Sequence, residues 1–172
     1  MISDLLIAAE RGALDKIVAA MARGASLADA NADGETALAL AAKHGHSACV
    51  QALATARGVK VVDRWGRTPL MLAAIGGHLE CLGAILDKME QEGAHAKDFD
   101  GRSALMLAAR HGHLTCAQAL APHSRVSDRD LRGLDALAIA RKLGHAEVAL
   151  WLGRHPDVSG EALAQHRPAL GI

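Results

Sequence analysis

The sequence predicts an all-α repeat solenoid, and three observations carry that reading. Gly-His pairs stand at Gly45-His46, Gly77-His78, Gly112-His113 and Gly144-His145, with a degenerate copy at Gly12-Ala13. The spacing from Gly12 onward is 33, 32, 35 and 32 residues, a period too regular for a conventional mixed fold. A second glycine lies 11 residues ahead of each of the last four, at Gly34, Gly66, Gly101 and Gly133. Finally, Ala and Leu, both helix formers, dominate a chain that is 51% hydrophobic but only 2% aromatic and lacks Tyr, a composition that disfavours a β-sandwich or barrel.

Each unit reads as a glycine turn, a short apolar helix, a second glycine turn and a second apolar helix. Helices of about ten residues are not stable alone in water. Each must bury its apolar side against the next unit, which is the logic of a stacked array.

The first unit opens directly on its helix, with Ser3 as the expected N-cap, Leu5 as the core leucine and Ala8-Ala9 as the small pair. In the second, Thr36 is placed to cap, followed by Leu38 and Ala41-Ala42. In the third, Thr68 precedes Pro69, which suits the first helical position because no donor is needed there. Leu70 and Ala73-Ala74 follow. This unit is three residues longer than its neighbours; the surplus lies within Asp87–Glu92 and predicts an extra turn on the second helix. The fourth unit repeats the plan with Ser103, Leu105 and Ala108-Ala109. The fifth departs from it. Asp135 takes the capping slot, Arg141 replaces an alanine, and Trp151 stands where the others have Ala19, Ala52, Ala84 and Ala119. A ring that large needs a site that no next helix crowds, so this reads as the terminal repeat. Residues 154–172 read as a tail, with a short helix expected over Ser159–His166 against Trp151.

The run Asp63-Arg64-Trp65-Gly66-Arg67-Thr68-Pro69-Leu70-Met71-Leu72-Ala73-Ala74-Ile75-Gly76-Gly77-His78 resembles the ankyrin repeat, and Asp98 through His113 is similar. The resemblance covers about residues 2–153. It implies an ankyrin-repeat domain over 1–153, in units of about 1–30, 31–62, 63–97, 98–129 and 130–153, with antiparallel helix pairs, sideways hairpins and a curved stack. In the family the His of the glycine turn supports that turn by hydrogen bonding. The usual His after Pro-Leu is absent here, replaced by Ala39, Met71, Met106 and Ala138, and Ala37, Ala104 and Ala136 take the Pro slot. Those changes bear on local hydrogen bonding, not on the fold. The implied work is binding another protein, as adaptor, inhibitor or assembly factor.

Composition excludes several alternatives. Lys plus Arg and Asp plus Glu are both 19, with no basic block, which speaks against a dedicated nucleic-acid binder. No apolar run approaches the roughly 20 residues of a membrane span. The start carries no cationic region ahead of its apolar stretch and does not read as a signal peptide. Three Cys, an odd number, fit a reducing, cytoplasmic setting. There is no nucleophile elbow, no phosphate loop and no His-Glu-x-x-His, so no enzyme and no cofactor is expected. Cys49, Cys81 and Cys116 each lie four residues after a repeat glycine, one structural slot repeated. Stacked helices stand about 8–10 Å apart, too far for a disulfide, so the thiols are expected to line a core ladder. His44 and His111 are two units apart, which leaves one zinc unable to bridge them.

Binding is expected where irregular residues decorate the regular frame, around the hairpin glycine and at the end of the first helix. The candidate partner-binding residues are Lys43 and His44; Arg64, Trp65, Arg67 and Ile75; Phe99, Arg102, Arg110 and His111; Arg132 and Leu134. Asp33, Glu35, Asp100, Leu131, Lys142 and Leu143 are further variable positions on the same face. Two of the chain's three aromatics, Trp65 and Phe99, fall in this set. Seven basic against three acidic residues give it a charge of +4, which Asp63, Asp98 and Asp130 reduce to +1. The expected partner is a protein with an acidic and partly apolar face. The second reading is a His-lined metal or small-ligand binder. The third is a weak nucleic-acid binder acting through the Arg-bearing tips.

Overall fold

The computed structural model describes residues 4–55, 57–89 and 95–154. Ser3 and the Ser159–His166 segment lie outside these. The described helices form five antiparallel pairs: α1 (Asp4–Glu10) with α2 (Leu14–Ala22), α3 (Ala37–His44) with α4 (Ser47–Leu53), α5 (Pro69–Gly76) with α6 (Leu79–Leu86), α7 (Ala104–His111) with α8 (Leu114–Leu120), and α9 (Ala136–Leu143) with α10 (Ala146–Gly153). The first helices pack on one another in order from α1 to α9, and the second helices form a parallel row from α2 to α10. No strand appears among the described residues, only an isolated bridge between Ala30 and Thr36. No described helix is long and apolar enough to cross a membrane.

Local chemistry sets the helix starts. The side chains of Thr36, Thr68 and Ser103 accept hydrogen bonds from the backbone N–H groups of Ala39, Met71 and Met106, and Pro69 takes the first position of α5. Asp135, which breaks the Ser/Thr pattern, does the same work by accepting from Ala138. Gly45, Gly77, Gly112 and Gly144 end the first helices in the left-handed region, with φ between 74° and 79°.

The alanine pairs at 8–9, 41–42, 73–74 and 108–109 are buried, which lets successive first helices approach closely. In the fifth pair Ala140 is buried but Arg141 is exposed, since no further described helix packs on that side. Trp151 is half-buried against the core. The extra turn expected on the third unit's second helix does not form among the described residues, and 90–92 lie outside them. α6 stops at Leu86, and the chain then tightens, with Lys88 donating to Ile85 and Met89 to Leu86. A three-residue step of hydrogen bonding closes a helix end more compactly than another α-turn.

Cys49, Cys81 and Cys116 are free and buried in the row of second helices. Burial raises all three thiol pKa values, Cys81 to about 11. Among the described residues no three His, Cys, Asp or Glu side chains come together as a metal site.

Candidate functional site

The hairpins are built by one carboxylate device. Asp63 Oδ1 accepts from the N–H of Trp65 and of Arg67, while Asp63 Oδ2 takes the Nε of Arg67 at 2.7 Å. Asp98 does the same for Asp100 and Arg102, with Arg102 Nε at 2.9 Å. Asp130 accepts from Arg132 and Leu134. In the second unit Asn31 replaces the Asp and bonds Asp33, Glu35 and the Glu35 carboxylate. Adjacent hairpins are tied by backbone bonds: Arg64 donates to Asp33 at 2.9 Å, Phe99 to Trp65 at 3.0 Å and Leu131 to Asp100 at 3.0 Å. The tips therefore form a continuous, pre-ordered edge.

That edge fixes what each candidate residue can offer. Trp65 is 39% exposed and lies between the guanidinium groups of Arg64 and Arg67, each 4.3 Å from the ring centre. Phe99 is 71% exposed, although one edge of its ring rests against Gly66. Leu131, outside the candidate set, is 77% exposed at the position equivalent to Phe99, two before the hairpin glycine. That shared register was its only signal in the sequence.

Most of the cations counted on this surface are engaged within the chain. Arg67 and Arg102 are half-buried braces of their own hairpins rather than free surface charges. Glu35, expected among exposed variable positions, is 2% exposed. Its carboxylate takes Lys43 Nζ at 2.8 Å, and Arg67 approaches at 3.9 Å. Burial pushes its pKa up, but the Lys43 and Asn31 hydrogen bonds and the Lys43 and Arg67 charges outweigh this and leave it lowered. Arg64 pairs with Asp33 at 2.8 Å, and Arg102 also meets Asp100. Four of the seven cations are thus neutralised internally. Arg110, Arg132 and Lys142 have no ion pair among the described residues.

The candidate residues fall into two groups. Lys43, Arg64, Trp65 and Arg67 surround the second and third hairpins, linked through Glu35 and Asp33. Arg102, Arg110, Arg132 and Leu134 line a cleft of ≈ 200 Å³ between the fourth and fifth units, together with Ile139, Lys142 and Leu143. His44 and His111 are exposed at the ends of α3 and α7, each stacked on the turn histidine two residues on, with ring centres 6.3 and 6.2 Å apart. Burial and neighbouring positive charge lower the pKa of His111. Ile75 is half-buried against the core, and it is its carbonyl that interacts, accepting from His113.

The turn histidines reach further than their own turns. Nε2 of His46, His78, His113 and His145 donates to the carbonyl of Glu10, Lys43, Ile75 and Arg110, at 2.9, 3.2, 3.0 and 2.8 Å. Each acceptor lies in the last turn of the first helix of the preceding unit, so the ring stitches two units together. The family model for ankyrin repeats (3 copies) matches residues 5–97 and again 85–161. The chain belongs to the ankyrin-repeat family. Ankyrin repeats are in general protein–protein interaction modules built on a non-enzymatic fold. No curated protein matches the chain. In this ankyrin array the frame is uniform, and the hairpin tips and the cleft carry its individual character.

Proposed function

We propose that this ankyrin array binds a partner protein, as an adaptor, inhibitor or assembly factor, through its hairpin tips and concave helix face. One observation carries the reading: Trp65, Phe99 and Leu131 stand water-exposed on three consecutive hairpins whose backbones are locked together. Exposed apolar side chains on a rigid edge lose little ordering entropy on binding, and Trp is among the residues that most often carry interface energy. The partner offers an acidic and partly apolar face. The buried free thiols support work in a reducing, cytoplasmic setting.

The test is affinity capture from the source cell with the wild type and with a Trp65→Ala/Phe99→Ala/Leu131→Ala variant. The reading requires a protein retained by the wild type and lost by a variant whose helicity is unchanged. A captured protein retained equally by both would overturn the assignment of the tips.

A further inference from the structure

We infer that the cleft between the fourth and fifth units is an acid-reading pocket, which takes a peptide segment bearing a carboxylate beside an aliphatic side chain. The inference rests on the protein-binding reading above and gives that partner a specific chemistry.

The cations of this face divide into engaged and unengaged. Lys43, Arg64, Arg67 and Arg102 already face carboxylates of this chain. Arg110 in the last turn of α7, Arg132 on the fifth hairpin and Lys142 near the end of α9 form no ion pair among the described residues, and all three line the same cleft. They come from three separate segments, so the stacking of α9 on α7 brings them together rather than local sequence. The two carboxylates at the rim are engaged internally, Asp100 with Arg102 and Asp130 with the N–H groups of its own hairpin. The cleft is therefore left with a positive field.

Its apolar wall is equally specific. Ile139 is buried, Leu134 half-buried and Leu143 exposed, a graded surface on which one branched aliphatic side chain can lie. Guanidinium groups bind carboxylates with paired, directional N–H donors, and a partly desolvated site strengthens that pairing. Cations over an apolar floor select a ligand that is anionic and aliphatic at adjacent positions. The second and third hairpins, whose cations are spent internally, contribute apolar contact without this selectivity.

A displayed library of random short peptides, selected on the intact chain at about 0.15 M salt, tests this. Enriched peptides are expected to place Asp or Glu next to Leu, Ile or Val. Their binding is expected to weaken by about tenfold or more on Arg110→Ala/Arg132→Ala/Lys142→Ala, and equally when their acids are exchanged for Asn or Gln, while Trp65→Ala changes it less than about twofold. The amide exchange uses unaltered protein, so misfolding cannot mimic it. Peptides without acids that are lost on Trp65→Ala would overturn the pocket and leave the hairpin reading standing. No peptide dependent on either set would overturn both. An oligonucleotide bound in place of peptide and lost in the triple variant, or a salt-sensitive dimer abolished by it, would also overturn the carboxylate assignment.

Discussion

The imidazole of His78 lies flat enough on Gly45 that a Cβ placed there would sit 2.6 Å from Nδ1, while Nε2 donates to Lys43 at 3.2 Å. One glycine thus serves two needs. Its φ of 78° disfavours any side chain, and its missing Cβ makes room for the next unit's ring. Gly12, Gly77 and Gly112 stand in the same relation to His46, His113 and His145. Gly144 has the same backbone conformation, but nothing lies within 4 Å of the site its Cβ would take. Gly45→Ala is therefore expected to destabilise by about 2–4 kcal/mol, combining left-handed strain with a displaced ring. Gly144→Ala is expected to cost only the strain, about 1–2 kcal/mol. Chemical denaturation of the two variants separates these contributions.

Two arginines three residues apart are expected to behave differently. Arg67 fills the second oxygen of a buried carboxylate, whereas Arg64 meets the half-exposed Asp33 at the surface. Arg67→Ala leaves Asp63 without a partner for that oxygen and is expected to destabilise by about 1–3 kcal/mol. Arg64→Ala is expected to cost at most about 1 kcal/mol. Urea midpoints give both values, and equal losses would contradict the assignment of Arg67 as a hairpin brace.

Glu35 links the fold to pH. Its folded pKa is lowered below the ordinary 4.5, so its carboxylate contributes stability above that value. The contribution is lost as pH falls through the folded value and the group takes up a proton. Glu35→Gln lacks this term. The stability difference between wild type and Glu35→Gln is expected to be constant near about pH 7 and to shrink below 4.5. Denaturation curves across that range show it; a difference independent of pH would contradict it.

The thiols are expected to be inert in the folded protein. Burial favours the protonated form of Cys49, Cys81 and Cys116, and the thiolate is the reactive species. Iodoacetamide is expected to leave the native chain unmodified and to add to all three thiols once denaturant is present. Mass spectrometry counts the adducts. Rapid native labelling at Cys81 would show the row of second helices to open more readily than its packing implies.

The repeat was legible because stacking imposes the same demand at every unit. Leu38, Leu70 and Leu105 recur because each meets the same neighbours, and Thr36, Thr68 and Ser103 recur because each helix start has the same unmet N–H groups. The candidate site was legible only in outline. Sequence position marks Arg64, Arg67, Arg110 and Arg132 alike as variable cations, yet among the described residues two are held by carboxylates and two are not. Nothing in the spacing of Lys43 and Glu35 announces an ion pair on a buried carboxylate, because the contact depends on how α3 and its hairpin fold over one another.

By itself the sequence determined the helix pairs, their caps, their turns and the order in which they stack. These follow from contacts between residues close in the chain or one period apart, which leave a periodic trace. The tertiary structure alone decided which charges remain available and which residues share a surface. Arg110, Arg132 and Lys142 meet at one cleft because α9 packs on α7. Charge pairing depends on distance in space, and no local pattern in the chain records it.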